Sequence, residues 1–263
     1  MHKVEPKVFL IGETRIVENE LDLYLDHVGV SEWTSDAPSD IEKIIEVMGR
    51  LCYKSFKPGL NPNVVKIREH NDEYLANVIN VKHGSVIEHG MLNFILADVS
   101  RVFTHELVRH RVGVAISQES LRFVRLTNLG FWIPSVFNNH PRSEEIIKFI
   151  VEKVELMERW QIELAEMLGV DNEKKFEVKK KFTSAMRRIA PIGLATTIGW
   201  SVNSRTLRHV IEMRTNPGAE EEIRLAFGKI AEKVKQRLPN IFSDYEVKIV
   251  DGLPYYETQN SKV

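Results

Sequence analysis

Apolar residues recur three and four positions apart through much of the chain, which is the spacing of one face of an α-helix. The longest such pattern follows Ser143 and continues to Leu168. Another begins after Ser39 and Glu42, which have the spacing of a capping box. The patterns predict helices over 40–53, 74–81, 100–109, 143–169, 172–189 and 200–214, and a last helix that ends before Pro239.

Short apolar runs between turn residues predict strands at 7–11, 91–99, within 117–126, and at 247–250. Phe123 and Val124 support the third of these strands. Gly84 is expected to cap the second helix. Residues 13–37 show no clean period and predict turns and loop, and a short polar tail is expected after the last strand.

The order of these elements indicates a mixed α/β protein in which long helices dominate. Strands and helices do not alternate in βαβ units, and neither a GxGxxG nor a GxxxxGK[ST] motif is present. A Rossmann or P-loop nucleotide site is therefore disfavoured. The chain of 263 residues has no internal repeat and no low-complexity linker, so we expect one domain over residues 1–263.

The charge balance argues against a polyanionic partner. The chain carries 36 Lys and Arg residues against 37 Asp and Glu residues, so no field of one sign is available to hold a nucleic-acid polymer. No window reaches the roughly 20 apolar residues of a membrane span, and the N-terminus does not resemble a leader peptide. These features favour a cytoplasmic protein without a membrane partner.

Cys52 is the single cysteine of the chain. One cysteine excludes an intramolecular disulfide and any multi-cysteine zinc site within one chain. Its sequence neighbours supply no general base, so we interpret it as a buried structural thiol rather than a nucleophile.

The densest cluster of candidate binding residues is Arg109, His110 and Arg111, followed by Ser120 and Arg122. An arginine presents a planar, permanently charged fork of donors, which suits a phosphate or a heterocycle that carries carbonyl oxygens. The cluster therefore favours a phosphorylated, ring-bearing ligand. The alternative is that the first three residues are the solvated end of a helix, where cations complement the helix dipole.

Four motifs agree in order and spacing with the flavin-dependent thymidylate synthase family. They are HGSVIEH at 83–89, VSRVFTHELVRHR at 99–111, SQESLRF at 117–123, and NSRTLRHVIEMR at 203–214 continuing to AEEEIR at 219–224. The resemblance covers roughly residues 45 to 235. It implies an α/β (α+β) fold of long helices on a mostly antiparallel sheet, and a homotetramer with shared active sites.

The resemblance also implies an activity. The family binds FAD and methylates dUMP to dTMP, with methylenetetrahydrofolate as carbon donor and NADPH as reductant of the flavin. No cysteine nucleophile is needed in this family, and no metal is implied.

Site residues follow from the matched motifs. The residues expected to bind the cofactor are His83, Arg109, His110, Arg111, Gln118, Asn203, Arg205 and His209. The residues expected to bind dUMP are Glu106, Gln118, Ser120, Arg122, Arg187, Arg188 and Arg214. Among them Arg214 and Ser120 are the expected catalytic residues, with Arg214 acting on the pyrimidine ring and Arg187 or Arg188 on the phosphate.

The chain departs from the family pattern at two places. Eight residues separate Arg111 from Ser120, where the family has seven, and the extra residue falls at 112–116. Glu106 stands where the family usually has glutamine, so an acceptor replaces a group that both donates and accepts.

Two other functions are compatible with the sequence. One is a metal-dependent hydrolase built on His83, Glu88, His89, His105 and His110, although their spacing is not HExxH. The other is a flavin- or nucleotide-binding homologue on the same scaffold without thymidylate synthase activity.

Overall fold

The computed structural model describes residues 1–122 and 126–263. The strand predicted around Phe123 and Val124 lies in part outside these residues. The helices are α1 (Glu18–His27), α2 (Asp40–Tyr53), α3 (Asn71–Asn80), α4 (Gly84–Ile87), α5 (Arg101–Leu107), α6 (Ser135–Asn138), α7 (Ser143–Met167), α8 (Phe176–Met186), α9 (Ser204–Thr215) and α10 (Glu221–Arg237). The strands are β1 (His2–Lys3), β2 (Lys7–Glu13), β3 (Met91–Ser100), β4 (Val114–Gln118), β5 (Gly130–Phe131), β6 (Ala195–Asn203), β7 (Glu246–Val250) and β8 (Leu253–Glu257).

The strands of the described chain form one four-stranded sheet, in the order β2-β3-β6-β4, and two small two-stranded sheets. β1 pairs with β5 in parallel, and β7 pairs with β8 in antiparallel register. The predicted class, long helices with a mostly antiparallel sheet, is confirmed. In the described residues no helix combines the length and the apolar character that crossing a lipid bilayer requires.

The described chain divides into two compact units. The first contains Met1–Phe9, Ile95–Arg109 and Ile116–Gly199, and the second contains Leu10–Phe94, His110–Ala115 and Trp200–Val263. Each strand of the four-stranded sheet is therefore shared between the units along its length. The single domain over residues 1–263 stays a prediction.

Helices α9 and α10 form the core of the second unit. Leu207 and Ile211 on α9, with Ile223, Phe227 and Ile230 on α10, are completely buried. These positions repeat every three or four residues, so each helix presents one apolar face. The prediction of an inward-facing last helix is confirmed.

The predicted helix over 200–214 is wrong in its first residues, because 195–203 form strand β6. Thr196, Ile198, Trp200 and Val202 are buried while the residues between them are half-buried. This alternation is the period of a strand with one face in the core. The helix begins only at Ser204, after Asn203 has capped it.

Helix α1 occupies part of the segment that was predicted to be loop. Leu21, Tyr24 and Leu25 lie at helical spacing and pack with Val47 and Phe56. Val17 stands at the N-cap and makes no side-chain cap hydrogen bond, so the usual start signal is absent.

Two smaller predictions are also wrong. Gly84 begins α4 instead of ending α3, whose cap is Val81. The expected polar tail contains strand β8, which pairs with β7 through the turn at Asp251 and Gly252. Asp-Gly between two strands is typical of a two-residue hairpin turn.

Candidate functional site

A surface cavity of about 460 Å³ in the first unit gathers several of the predicted substrate residues. It is lined by Arg101, Gln118, Glu119, Ser120, Leu121, Arg187 and Arg188. Three arginines, from both ends of the segment between Arg101 and Arg188, thus share one pocket. Such a pocket offers charged donors together with a hydroxyl and an amide, which suits an anionic, hydrogen-bonding ligand.

Local structure explains how these side chains reach the cavity. The Ser100 hydroxyl accepts from the Phe103 backbone N–H at 3.1 Å and starts α5, which places Arg101 at the first helical position. Strand β4 ends at Gln118, next to the cavity. Helix α8 ends in a short 3₁₀ turn over Arg187–Ile189, which carries the other two arginines.

Arg101 is a residue that the sequence interpretation missed. Its Nη2 donates to the Glu119 backbone carbonyl at 3.0 Å, while its buried Nε has no hydrogen-bond partner among the described residues. Burial lowers the pKa of Arg101, the carboxylate of Glu119 opposes that shift, and the charge of Arg187 adds to it. Positive charge is thus concentrated here, and an anion would relieve it. The sequence contained one indication of its role, because Arg101, His105 and Arg109 are four positions apart and share one face of a helix.

Gln118 and Ser120 are held by local contacts. The Gln118 amide donates to the Thr104 hydroxyl at 3.1 Å, which leaves its carbonyl oxygen as an acceptor. The Ser120 hydroxyl accepts from the Arg122 backbone N–H at 3.3 Å. Both side chains are therefore oriented before a ligand arrives.

Arg122 and Glu106 are not part of the lining of this cavity. The Arg122 side chain donates from Nε to the Ser184 hydroxyl at 2.9 Å and borders a different cavity of about 320 Å³ between α7 and α8. Glu106 is half-buried on α5, and its backbone carbonyl accepts from the Arg109 N–H. Their predicted roles at the substrate stay predictions.

A second group of predicted residues lies in the second unit. Arg214, near the end of α9, donates from Nε to His110 Nε2 at 2.8 Å. Burial, with the nearby Arg214 and His209, lowers the pKa of His110 to about 4. His110 is therefore neutral at physiological pH. His209 lies on the same helix, and its buried Nδ1 has no partner among the described residues.

Arg205 and His83 form another part of this unit. Arg205 donates from Nη1 to Glu88 at 2.6 Å and from Nη2 to the Lys262 carbonyl at 3.3 Å. The His83 ring stacks on Tyr53, with centroids 5.7 Å apart and an angle of 9° between the planes. Tyr53 was not predicted as a site residue, and Glu88 was predicted only in the alternative metal-dependent hydrolase.

The segment 112–116, in which the extra residue is expected, begins with a turn at Val112 and Gly113. Gly113 has a positive φ of 67°, and its carbonyl accepts from the Asn203 N–H at 2.9 Å. The Thr206 hydroxyl donates to the Val112 carbonyl at 2.9 Å. The turn is thus fastened to the first residues of α9, and strand β4 begins directly after it.

Asn203 has a structural role in this turn. Its side-chain oxygen accepts from the Thr206 N–H at 2.8 Å and caps α9. The residue is buried, with 7% of its surface exposed, so little of it is available to a ligand. In contrast, Arg109 and Arg111 are exposed.

The interpretation of Cys52 as a buried thiol is wrong, because Cys52 is exposed. Helix α2 turns Ile41, Ile45 and Arg50 inward, and Cys52 lies on its outer side near the C-terminus. Within residues 1–122 and 126–263, no three His, Cys, Asp or Glu side chains come together as a group that could hold a metal ion.

A family model and several curated proteins match most of the chain. The family model described as "Thymidylate synthase complementing protein" (Thy1) matches residues 35–240. A flavin-dependent thymidylate synthase of Corynebacterium diphtheriae is 34% identical over 229 residues, covering 84% of this chain and 86% of that protein. The enzymes of the same name from Corynebacterium glutamicum and Mycobacteroides abscessus are 32% and 31% identical, with the same shares covered.

A solved structure shares the fold. The UMP/dUMP methylase PolB from Streptomyces cacaoi, crystallised with 5-Br UMP, superposes with a TM-score of 0.59. The match covers 92% of this chain and 94% of that chain at 12% identity. The family model and the curated relatives together show that this chain belongs to the flavin-dependent thymidylate synthase family.

Proposed function

We propose that this protein is a flavin-dependent thymidylate synthase that converts dUMP to dTMP. Family membership supports the reaction class. The observation that carries the proposal is the cavity in which Arg101, Arg187 and Arg188 meet Gln118 and Ser120. Guanidinium groups suit the phosphate of a nucleotide, and the amide and hydroxyl suit its sugar or base.

The proposal includes FAD as the flavin, NADPH as the reductant and methylenetetrahydrofolate as the carbon donor. In the net reaction dUMP gains a methyl group, methylenetetrahydrofolate becomes tetrahydrofolate, and NADPH is oxidised to NADP⁺. Bound flavin supplies the hydride chemistry, which amino-acid side chains do not provide. A homotetramer with shared active sites, a single domain and a cytoplasmic location belong to the same proposal.

The residues of the second unit fit a flavin nucleotide. The buried Nδ1 of His209 lacks a partner among the described residues. Arg205 lies against Gly84, where a β-carbon would come within 2.6 Å of the Arg205 Nε. These groups, with exposed Arg111, are mainly donors, and a flavin nucleotide presents pyrophosphate and carbonyl oxygens as acceptors.

The side chains have distinct tasks in this proposal. Arg101, Arg187 and Arg188 bind the phosphate, and Ser120 and Gln118 orient the nucleotide. The matched motif assigns Arg214, in the second unit, to a carbonyl oxygen of a pyrimidine, where its guanidinium group would stabilise the negative charge that develops as the ring reacts.

The proposed function is tested first by the visible absorption spectrum of the purified protein. A flavin spectrum that NADPH bleaches under anaerobic conditions, at a rate that dUMP changes, supports the proposal, and dTMP formation completes it. Flavin that is indifferent to dUMP, with no dTMP formed, would instead indicate a binding homologue. A protein that takes up no FAD would refute the proposal.

The role of Arg101 is tested by replacing it with alanine. We expect the KM for dUMP to rise about 10- to 100-fold, the effect of losing a hydrogen bond to a charged group, while FAD content stays unchanged. Arg142→Ala is the matched control, because Arg142 is exposed and pairs with Glu145 outside the cavity. A KM equal to that of the control would exclude Arg101 from the substrate site.

A further inference from the structure

The contact between Arg214 and His110 determines which nitrogen of the imidazole carries the proton. The Arg214 Nε–H can only donate, and it lies 2.8 Å from His110 Nε2. The Nε2 atom must therefore accept, and in a neutral ring the proton is then on Nδ1. We propose that His110 is the positioning residue of Arg214, and that its Nδ1–H tautomer fixes the direction of the guanidinium group.

The surroundings of His110 support this state. Among residues 1–122 and 126–263, the charged or titratable groups that act on the ring are Arg214 and His209, both on α9. Neither is a carboxylate that could stabilise an imidazolium. Burial and these two groups hold the pKa of His110 near 4, so the ring stays neutral through the physiological range.

Protonation would abolish the interaction. An imidazolium has donors on both nitrogens, so Nε2 could no longer accept from Arg214, and two positive charges would face each other. Arg214 would then lose this hydrogen bond. In the neutral ring, by contrast, Nδ1–H is a donor that suits an acceptor oxygen on a bound ligand.

This inference extends the proposed function, in which Arg214 contacts the pyrimidine, by naming the residue that orients it. The matched motif implies only that His110 binds the cofactor. The structure shows in addition that Nε2 of the same ring accepts a hydrogen bond from Arg214. His110 therefore links the expected cofactor residues to the expected catalytic arginine within one unit.

The tautomer is measured directly by ¹⁵N NMR of the histidine-labelled holoenzyme, with His110 identified by its absence in His110→Gln. We expect a protonated Nδ1, an unprotonated Nε2, and no titration of this ring between pH 8 and pH 5. A proton on Nε2, or a titration near the ordinary histidine pKa of about 6.5, would overturn the proposal. This readout does not depend on turnover, so it is separate from the test of the proposed function.

Kinetics test the consequence for Arg214. His110→Ala should lower kcat/KM about 10- to 100-fold, mainly through kcat, because the lost contact aims a group that acts in the transition state. His110→Gln should recover most of this loss, since its side-chain oxygen can accept from Arg214. His27→Gln, an exposed change on α1, is the matched control for histidine replacement.

A double-mutant cycle separates positioning from an independent role. If His110 orients Arg214, the two losses should be less than additive, so His110→Ala should cost less activity in the Arg214→Ala background than in the wild type. Additive losses, or a His110→Gln variant as poor as His110→Ala, would refute positioning. A wild-type protein without flavin or dTMP formation would refute the proposed function, while the NMR result would still decide the tautomer.

Discussion

The turn at Gly113 allows a quantitative test of how the segment before β4 is attached to α9. Gly113 has φ near 67°, in the region that L-residues rarely adopt. A β-carbon added there would lie 2.2 Å from the side-chain nitrogen of Asn203 and 2.8 Å from the Thr206 hydroxyl. Gly113→Ala would therefore strain the backbone and displace the residue that caps α9.

The expected loss of stability can be estimated from these contacts. The left-handed conformation costs an alanine about 1–2 kcal/mol. Displacing the Asn203 cap costs about 1 kcal/mol, and losing the hydrogen bond from Thr206 to the Val112 carbonyl costs about 1 kcal/mol. Gly113→Ala should thus lower the free energy of unfolding by about 3–4 kcal/mol in total.

Gly29→Ala isolates the backbone contribution. Gly29 has a φ of 73°, and no atom of the described residues lies within 4 Å of an added β-carbon, so its cost should be the conformational one alone. Urea unfolding of both variants, at equal m-values, measures the difference, which should be about 2 kcal/mol. Equal losses for Gly113→Ala and Gly29→Ala would show that the turn is not fastened to α9 as described.

Two further predictions concern the second unit. Burial acts to raise the pKa of Asp244, but hydrogen bonds from buried Arg208, at 2.8 and 2.9 Å, and its charge outweigh burial and hold that pKa below its usual value. This stabilisation is present above the unfolded pKa and is lost as pH falls through the folded pKa. Asp244→Asn should therefore lower the free energy of unfolding by about 3 kcal/mol at pH 7, and the stability of the variant should fall less steeply with acid than that of the wild type. If urea unfolding from pH 7 to pH 3 gave the same stability profile for both proteins, the prediction would be contradicted. Cys52 is exposed, so it should react with a thiol reagent in the native protein, and Cys52→Ala should keep its flavin and turnover. Loss of turnover would reopen a cysteine mechanism.

The helices that could be predicted are those whose apolar period and start signal agree. Helix α2 shows both, since Ser39 accepts from the Glu42 N–H at 3.2 Å and the apolar face follows. Helix α1 has the period without the cap, and it was missed. Its stability comes from packing against α2 and Phe56, which a local pattern does not contain.

The prediction at strand β6 was wrong for a different reason. Leu207, Val210 and Ile211 have strong helical spacing, and the predicted helix was extended backwards to Trp200. This extension concealed the alternation of buried and half-buried residues along 195–203. The change from period two to period 3.6 occurs at Asn203, a good capping residue. The boundary was therefore present in the sequence, although the two periods were read as one.

The resemblance, and not local pattern, grouped the residues that share the cavity of the first unit. Gln118 and Ser120 share a cavity with Arg187 and Arg188 because a strand end and a 3₁₀ turn meet, and no periodicity reports such a meeting. Arg101 was visible only as one member of a helical face with His105 and Arg109. Its buried Nε has no hydrogen-bond partner within residues 1–122 and 126–263, and this is a tertiary property.

The sequence Arg109-His110-Arg111 illustrates why adjacent residues need not share a role. Arg109 belongs to the first unit and His110 to the second, and the two arginines are exposed while the histidine is half-buried. As the chain leaves α5, its direction turns His110 towards α9, where Arg214 donates to it. A patch of three cations would bind any anion with little selectivity. A neutral histidine between two charged arginines, with one nitrogen already engaged, instead imposes a donor at a defined place, so the motif combines charge at its ends with orientation at its centre.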